Sequence, residues 1–189
     1  MALNWHETSE IGVSKKWKCG YCGREVAGNI GYERSNSLDK VIYICPHCQN
    51  PTVFLYYQFD TVQIPGPVAG NDVDFLPDDI DSIYQEVRKC IQHDAYTSAV
   101  LSMRKLIMHI AVEQGAEENQ SFIKYINYLE EKNWIPPNGR EWADSIRTKG
   151  NEATHEIVLM GREDATQLLG FVEMLLKFMY EFPNRMKTS

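Results

Sequence analysis

From Asp79 onward, apolar residues recur at every third or fourth position. Ile80, Ile83, Tyr84, Val87 and Ile91 form one such line, which predicts an amphipathic helix with Asp79 or Asp81 as its cap. Val100, Met103, Ile107 and Ile110 predict a second helix over 96–112, and "NQSFIKYINYLEEKNW" a third that stops at "IPPNG". "GREWADSIRTKG" and "NEATHEIVL" predict two short helices, fused if the first continues through Gly150. In "REDATQLLGFVEMLLKFMYEFP", Glu163 and Asp164 suit the positive start of a final helix, and Pro183 is expected to stop it. Short connections between these segments predict an all-α bundle.

Before residue 61 the pattern is different. "KVIYIC" and "TVFLYYQF" are runs of β-branched and aromatic residues, as in strands, and "CGYCGRE" and "CPHCQNP" place Gly and Pro at tight turns. Outside those strands the region has too few apolar residues to bury a core, so a cross-link is expected. Residues 61–79 carry three prolines, two glycines and four aspartates, the composition of a linker or a surface-hugging connector. The expected organisation is a zinc-ribbon-like domain over 1–60, a linker over 61–77 and a helical domain over 78–187.

The four clustered cysteines change the picture most. Cys19 and Cys22 form one C-x-x-C pair and Cys45 and Cys48 another, with 22 residues between them. Each pair can present two thiolates on a tight turn, and two facing pairs complete a tetrahedral sulfur shell. Structural Zn(2+) is the expected ion. Iron also fits four sulfurs, and two unrelated buried or redox-active pairs are the alternative. Four thiolates leave no open coordination position, so the ion is read as a folding staple, with His47 facing solvent. Cys90, on the apolar side of the first helix, is read as a small buried hydrophobe.

Charge and composition exclude some classes. Of the 189 residues 43% are hydrophobic and 24% charged, ordinary values for a globular chain. No apolar run reaches bilayer length, and the first ten residues lack the pattern of a secretory signal, so a cytoplasmic protein without a membrane partner is expected. The net charge of −7 lies entirely beyond residue 60, which argues against a strong nonspecific nucleic-acid binder. On the ribbon, Lys15, Lys16, Lys18, Arg24 and Arg34 with Trp17, Tyr21 and Tyr32 are a candidate basic, aromatic patch for DNA, or an ordinary solvated surface.

The segment "GNEATHE" raises a separate question. Were the helix around Arg147 to continue through Gly150, then Arg147, Asn151 and His155 would stand four apart on one face. Arginine can fork onto a phosphate, asparagine can orient a substrate, histidine can move a proton, and Gly150 allows close backbone approach. This constellation would suit a metal-independent ribonuclease. Alternatively, Asn151 caps a new helix and His155 hydrogen-bonds across the bundle.

The stretches "LPDDIDSIYQEVRKCI", "AYTSAVLSMRKLI", "IRTKGNEATHE" and "EDATQLLGFVEMLLKFMYEFP" resemble the bacterial domain family DUF4145, over roughly residues 76–184. That resemblance implies a mainly α, HEPN-like helical bundle, preceded here by a small N-terminal β zinc ribbon as in several members. It also implies a setting in phage defence or restriction, because the family occurs beside restriction-enzyme subunits. HEPN ribonucleases use an arginine, a polar residue, three further residues and a histidine, usually across a dimer. Asn151 and His155 match that pattern, whereas Gly150 stands at the arginine position. Arg147, three residues earlier, and Arg104 in "SMRKL" are the candidate replacements.

The leading expectation is an interaction module that binds a protein, a nucleotide or a nucleic acid such as RNA, with Arg147, Arg104 and Gly150 at the nucleotide. The alternative is an endoribonuclease with His155, Asn151 and Arg147 as catalytic residues. A homodimer is expected because Leu168, Leu169, Phe171, Val172, Leu175, Leu176, Phe178 and Met179 cover more than one narrow stripe of the last helix.

Overall fold

The computed structural model describes residues 5–34, 37–136 and 159–187. The chain divides into two compact units, Met1–Val68 and Ala69–Ser189.

The first unit is an antiparallel meander of five strands: β1 (Ser9–Lys18), β2 (Glu25–Arg34), β3 (Ser37–Ile44), β4 (Pro51–Tyr56) and β5 (Thr61–Ile64), paired in chain order. Alternation along β3 and β4, with Val41 opposite Phe54 and Tyr43 opposite Thr52, puts one set of side chains on a common face. On it Val41, Tyr43 and Phe54 join Ile11 and Trp17 in a small core, with the Trp17 ring 5.6 Å from Tyr43 and 6.1 Å from Phe54. Trp17 comes from β1, whose register against β2 breaks between Glu10 and Lys15. Such a break bends a strand and sharpens its twist. The sheet curls as a result, so that Gln63 of β5 donates through Nε2 to the Lys18 carbonyl of β1 at 2.8 Å. Residues 61–64, read above as the start of the linker, are therefore the fifth strand.

In the second unit, α1 (Asp78–Gln92), α2 (Tyr96–Glu113), α3 (Phe122–Glu131) and α4 (Arg162–Leu176) pack around one core. Helix α2 is central and touches α1, α3 and α4, and its Met103, Ile107, Ile110 and Ala111 are fully buried. Pro77, and neither aspartate, is the cap of α1. Asp78, Asp79 and Asp81 lie inside the first turn, where they act on the positive end of the helix. At α4, Asp164 Oδ2 accepts the Gly161 N–H at 3.0 Å, while Gly161 has no side chain to return the bond.

Pro183 does not end the last helix. After α4 a π-helical segment, Lys177–Glu181, leads into α5 (Phe182–Lys187), and Pro183 lies inside α5. Phe182 donates its N–H to the Lys177 carbonyl five residues back. The wider turn relieves the ring–carbonyl clash that an interior proline causes in an α-helix.

The expected apolar surplus on this helix is also smaller than its sequence suggests. Leu168, Leu169, Phe171, Val172, Leu175 and Leu176 are all buried within the unit, while Phe178 is 46% exposed and Met179 is half-buried.

Residues 69–74 begin the helical unit and are bound to it by buried ions. Arg88, 6% exposed, donates from Nε to the Ala69 carbonyl at 2.8 Å, and from Nη1 to both Asp72 and Gln85. Tyr84 donates to the Asn71 carbonyl at 2.7 Å, and the Glu173 carboxylate accepts both the backbone and side-chain N–H of Asn71 at 3.0 and 2.8 Å. Gly70 has φ +63°, and a Cβ there would lie 3.0 Å from Leu169 Cδ2, so this close approach needs glycine.

Candidate metal centre

Cys19 and Cys22 lie in the turn between β1 and β2, and Cys45 and Cys48 in the turn between β3 and β4. The two turns are built alike. Cys19 donates its N–H to the Arg24 carbonyl at 2.9 Å and accepts from the Gly23 N–H at 3.0 Å. Cys45 does the same with Asn50 and Gln49, both at 2.9 Å. The residue after each second cysteine adopts a left-handed backbone, φ +67° at Gly23 and +61° at Gln49. Glycine takes that conformation at little cost, whereas Gln49 carries strain.

These turns bring four sulfurs together. Sγ of Cys19 lies 3.7 Å from that of Cys48, and Sγ of Cys22 lies 3.9 Å from that of Cys45. All four sulfurs lie within 4.8 Å of one another. A tetrahedron with metal–sulfur arms of about 2.3 Å has edges of about 3.8 Å. A disulfide would instead bring two sulfurs to about 2.05 Å. The spacing matches a metal shell, and all four thiols are free.

The environment is arranged for bound thiolates. Cys19 and Cys45 are fully buried, while Cys22 and Cys48 are half-buried. Burial pushes the Cys19 thiol up to about 12 and raises Cys45 as well. Burial acts the same way on Cys48. There the Asn50 backbone and side chain, with the Cys45 and Cys19 thiols, outweigh it and bring the thiol down to about 7. Metal-free, the buried pair therefore holds its protons. A cation would supply the charge that lets all four sulfurs ionise, and its binding would release protons. The Tyr21 N–H also points at Cys19 Sγ from 3.4 Å. His47 is exposed and outside this shell. Cys90, half-buried against the helical core, takes no part; burial, then Glu86, raises its thiol.

The other sequence candidates are distributed differently. Trp17 is core and only 6% exposed, so it offers no stacking surface within the proposed basic, aromatic patch, whereas Tyr21 is 53% exposed. Arg147, Gly150, Asn151 and His155 lie outside the described residues. Arg104 is buried, with its guanidinium 4.5 Å from the centre of the Phe122 ring, and burial lowers its pKa. The buried Arg88 was not singled out from the sequence. Its signal was there, a cation on the same helical face as Ile80, Tyr84, Val87 and Ile91.

Among the described residues no helix is long and apolar enough to cross a membrane. No curated protein and no solved structure matches the chain. The family described as "Domain of unknown function (DUF4145)" matches residues 85–188, more than half of the chain, from within α1 to the end of α5. By that match, carried on the helical unit and accompanied by a four-cysteine ribbon, this chain belongs to the DUF4145 family.

Proposed function

We propose that the chain is an interaction module in which Zn(2+), held by Cys19, Cys22, Cys45 and Cys48, fixes the ribbon, and the helical unit binds a nucleotide, RNA or a protein. The observation that carries this reading is the closed donor set, four sulfurs at the spacing of a tetrahedral shell. Four protein ligands leave no position for substrate or water, so the ion stabilises the fold and does no chemistry. Phage defence or restriction is the setting that the family resemblance suggests, and the cytoplasm is the compartment where four free thiols and zinc fit best.

A second reading, a metal-independent endoribonuclease using His155 with Asn151 and Arg147 or Arg104, is favoured by one feature of the helical unit. Arg104 is a desolvated guanidinium, and such a group interacts with an anion more strongly than one in water. Incubating the metal-loaded protein, with no further divalent metal added, with structured and single-stranded RNA and with the His155→Ala variant alongside separates the two. Binding without cleavage supports the module, and cleavage lost in the variant supports the enzyme. Failure to bind RNA, nucleotides or a protein partner would overturn both.

A two-fold homodimer belongs to the same proposal. The apolar surface that supports it is Phe178, Phe182 and Met186, which are 46%, 42% and 77% exposed, with the two phenylalanine rings 5.4 Å apart. Light scattering at tens of micromolar tests it, and a strict monomer would reject it.

A further inference from the structure

The inner face of the ribbon holds a charged group that its core does not need. Lys15 Nζ lies 4.3 Å from the centre of the Phe54 ring and 4.9 Å from that of Tyr56. The two rings stand 6.4 Å apart and 26° from parallel, and Tyr43 closes the deeper side, 5.8 Å from Phe54 at 75°. Tyr43 is itself fixed, donating through its hydroxyl to the Val13 carbonyl at 3.1 Å. An ammonium over several ring faces is attracted by their negative quadrupoles, and the attraction grows as water is excluded. Phe54 is 2% exposed, so this groove is dry under its lysine cover.

Three features suit exchange of that cover. Lys15 is the first paired residue after the register break in β1, and its partner across the ladder is Gly28, which adds no side-chain bulk. Lys15 and Tyr56 are both half-buried, so the groove opens to solvent on the lysine side. At its rim, burial, then Tyr56, then the Glu33 carboxylate raise the Tyr43 pKa, which places an acid within electrostatic reach of the rings.

From this geometry we infer that the Phe54–Tyr56–Tyr43 groove is a binding site for an alkylammonium group, quaternary ammonium above all, and that Lys15 occupies it as an intramolecular stand-in. Holding a long lysine side chain in one place costs rotamer entropy, and its release offsets part of the translational freedom that an incoming cation loses. A methylated ammonium is also less strongly hydrated than the lysine head it replaces and presents a larger apolar surface to the rings. The site lies on the ribbon and is independent of whatever the helical unit binds.

The test is a titration of metal-loaded full-length protein with tetramethylammonium chloride, against sodium chloride of equal ionic strength, followed by the chemical shifts of Phe54 and Tyr56. The Lys15→Ala variant should bind about tenfold more tightly than the unaltered protein, and adding Tyr56→Leu should remove the gain. Lys15→Gln serves if the alanine variant does not fold. A peptide carrying one trimethyllysine separates the sources. Tighter binding than tetramethylammonium assigns a protein side chain, and equal binding assigns a small free cation. No saturable shift in a folded Lys15 variant, or binding indifferent to Tyr56→Leu, would overturn the inference.

Discussion

Replacing Arg88 with methionine keeps most of the side-chain volume and removes every polar contact of the guanidinium. In the folded protein that group is 6% exposed and donates to the Ala69 carbonyl, Asp72 and Gln85. Its partners lose unequally. The Asp72 side chain is 86% exposed and regains water, so its ion pair contributes little for a charged contact. The half-buried Ala69 carbonyl and Gln85 are solvated less readily, and a charged hydrogen bond of this kind contributes about 1.5–3 kcal/mol. Arg88→Met should therefore destabilise the helical unit by about 2 kcal/mol, a fall of about 8 °C or more in its melting temperature. Asp72→Ala should cost under about 1 kcal/mol. Thermal and urea unfolding followed by helical circular dichroism measure both. Equal losses in the two variants, or under about 0.5 kcal/mol for Arg88→Met, would refute the claim that the guanidinium acts through the backbone of residues 69–74.

Glu173 carries a pH dependence. Burial raises its pKa, but Lys177 and Asn71 outweigh it and leave the carboxyl below its ordinary value. A depressed folded pKa contributes stability above the unfolded value of about 4.3 and loses it as pH falls through the folded one. Glu173→Gln should thus cost about 2 kcal/mol at neutral pH, and melting curves should show the gap to the unaltered protein closing in strong acid. A gap constant with pH would contradict the assignment. Gln49→Gly relieves a left-handed backbone at φ +61° and should raise the stability of the metal-loaded ribbon by up to about 1 kcal/mol, read by the metal concentration at half-folding. Destabilisation would show that the glutamine side chain, which reaches the Pro46 carbonyl at 3.2 Å, outweighs the strain.

Much of the helical unit was legible because its signals are local. The 3.6-residue periodicity of α1, α2 and α3 survives in sequence, and the observed bounds of α2 differ from the expected ones by one residue. The cysteine pairs were legible for the same reason, since each hairpin turn needs only its own few residues. Signals that arise from distant partners were not readable. In β1 lysines interrupt the apolar pattern, and one of them is held by rings on β4, a contact no window of sequence contains. Thr61–Ile64 reads as linker because prolines and glycines follow it, and only pairing with β4 makes it a strand. Pro183 was expected to end a helix, and the π-helical turn before it removes the clash on which that rule depends.

Elemental analysis of protein purified without added metal tests the central claim most directly, with the strand chemical shifts of the first unit recorded on the same sample. One zinc per chain is expected, with loss of both the ion and the strand signals in Cys45→Ser, because the buried sulfur completes the shell and the shell staples a small core. A metal-free protein whose five strands remain folded would contradict the account.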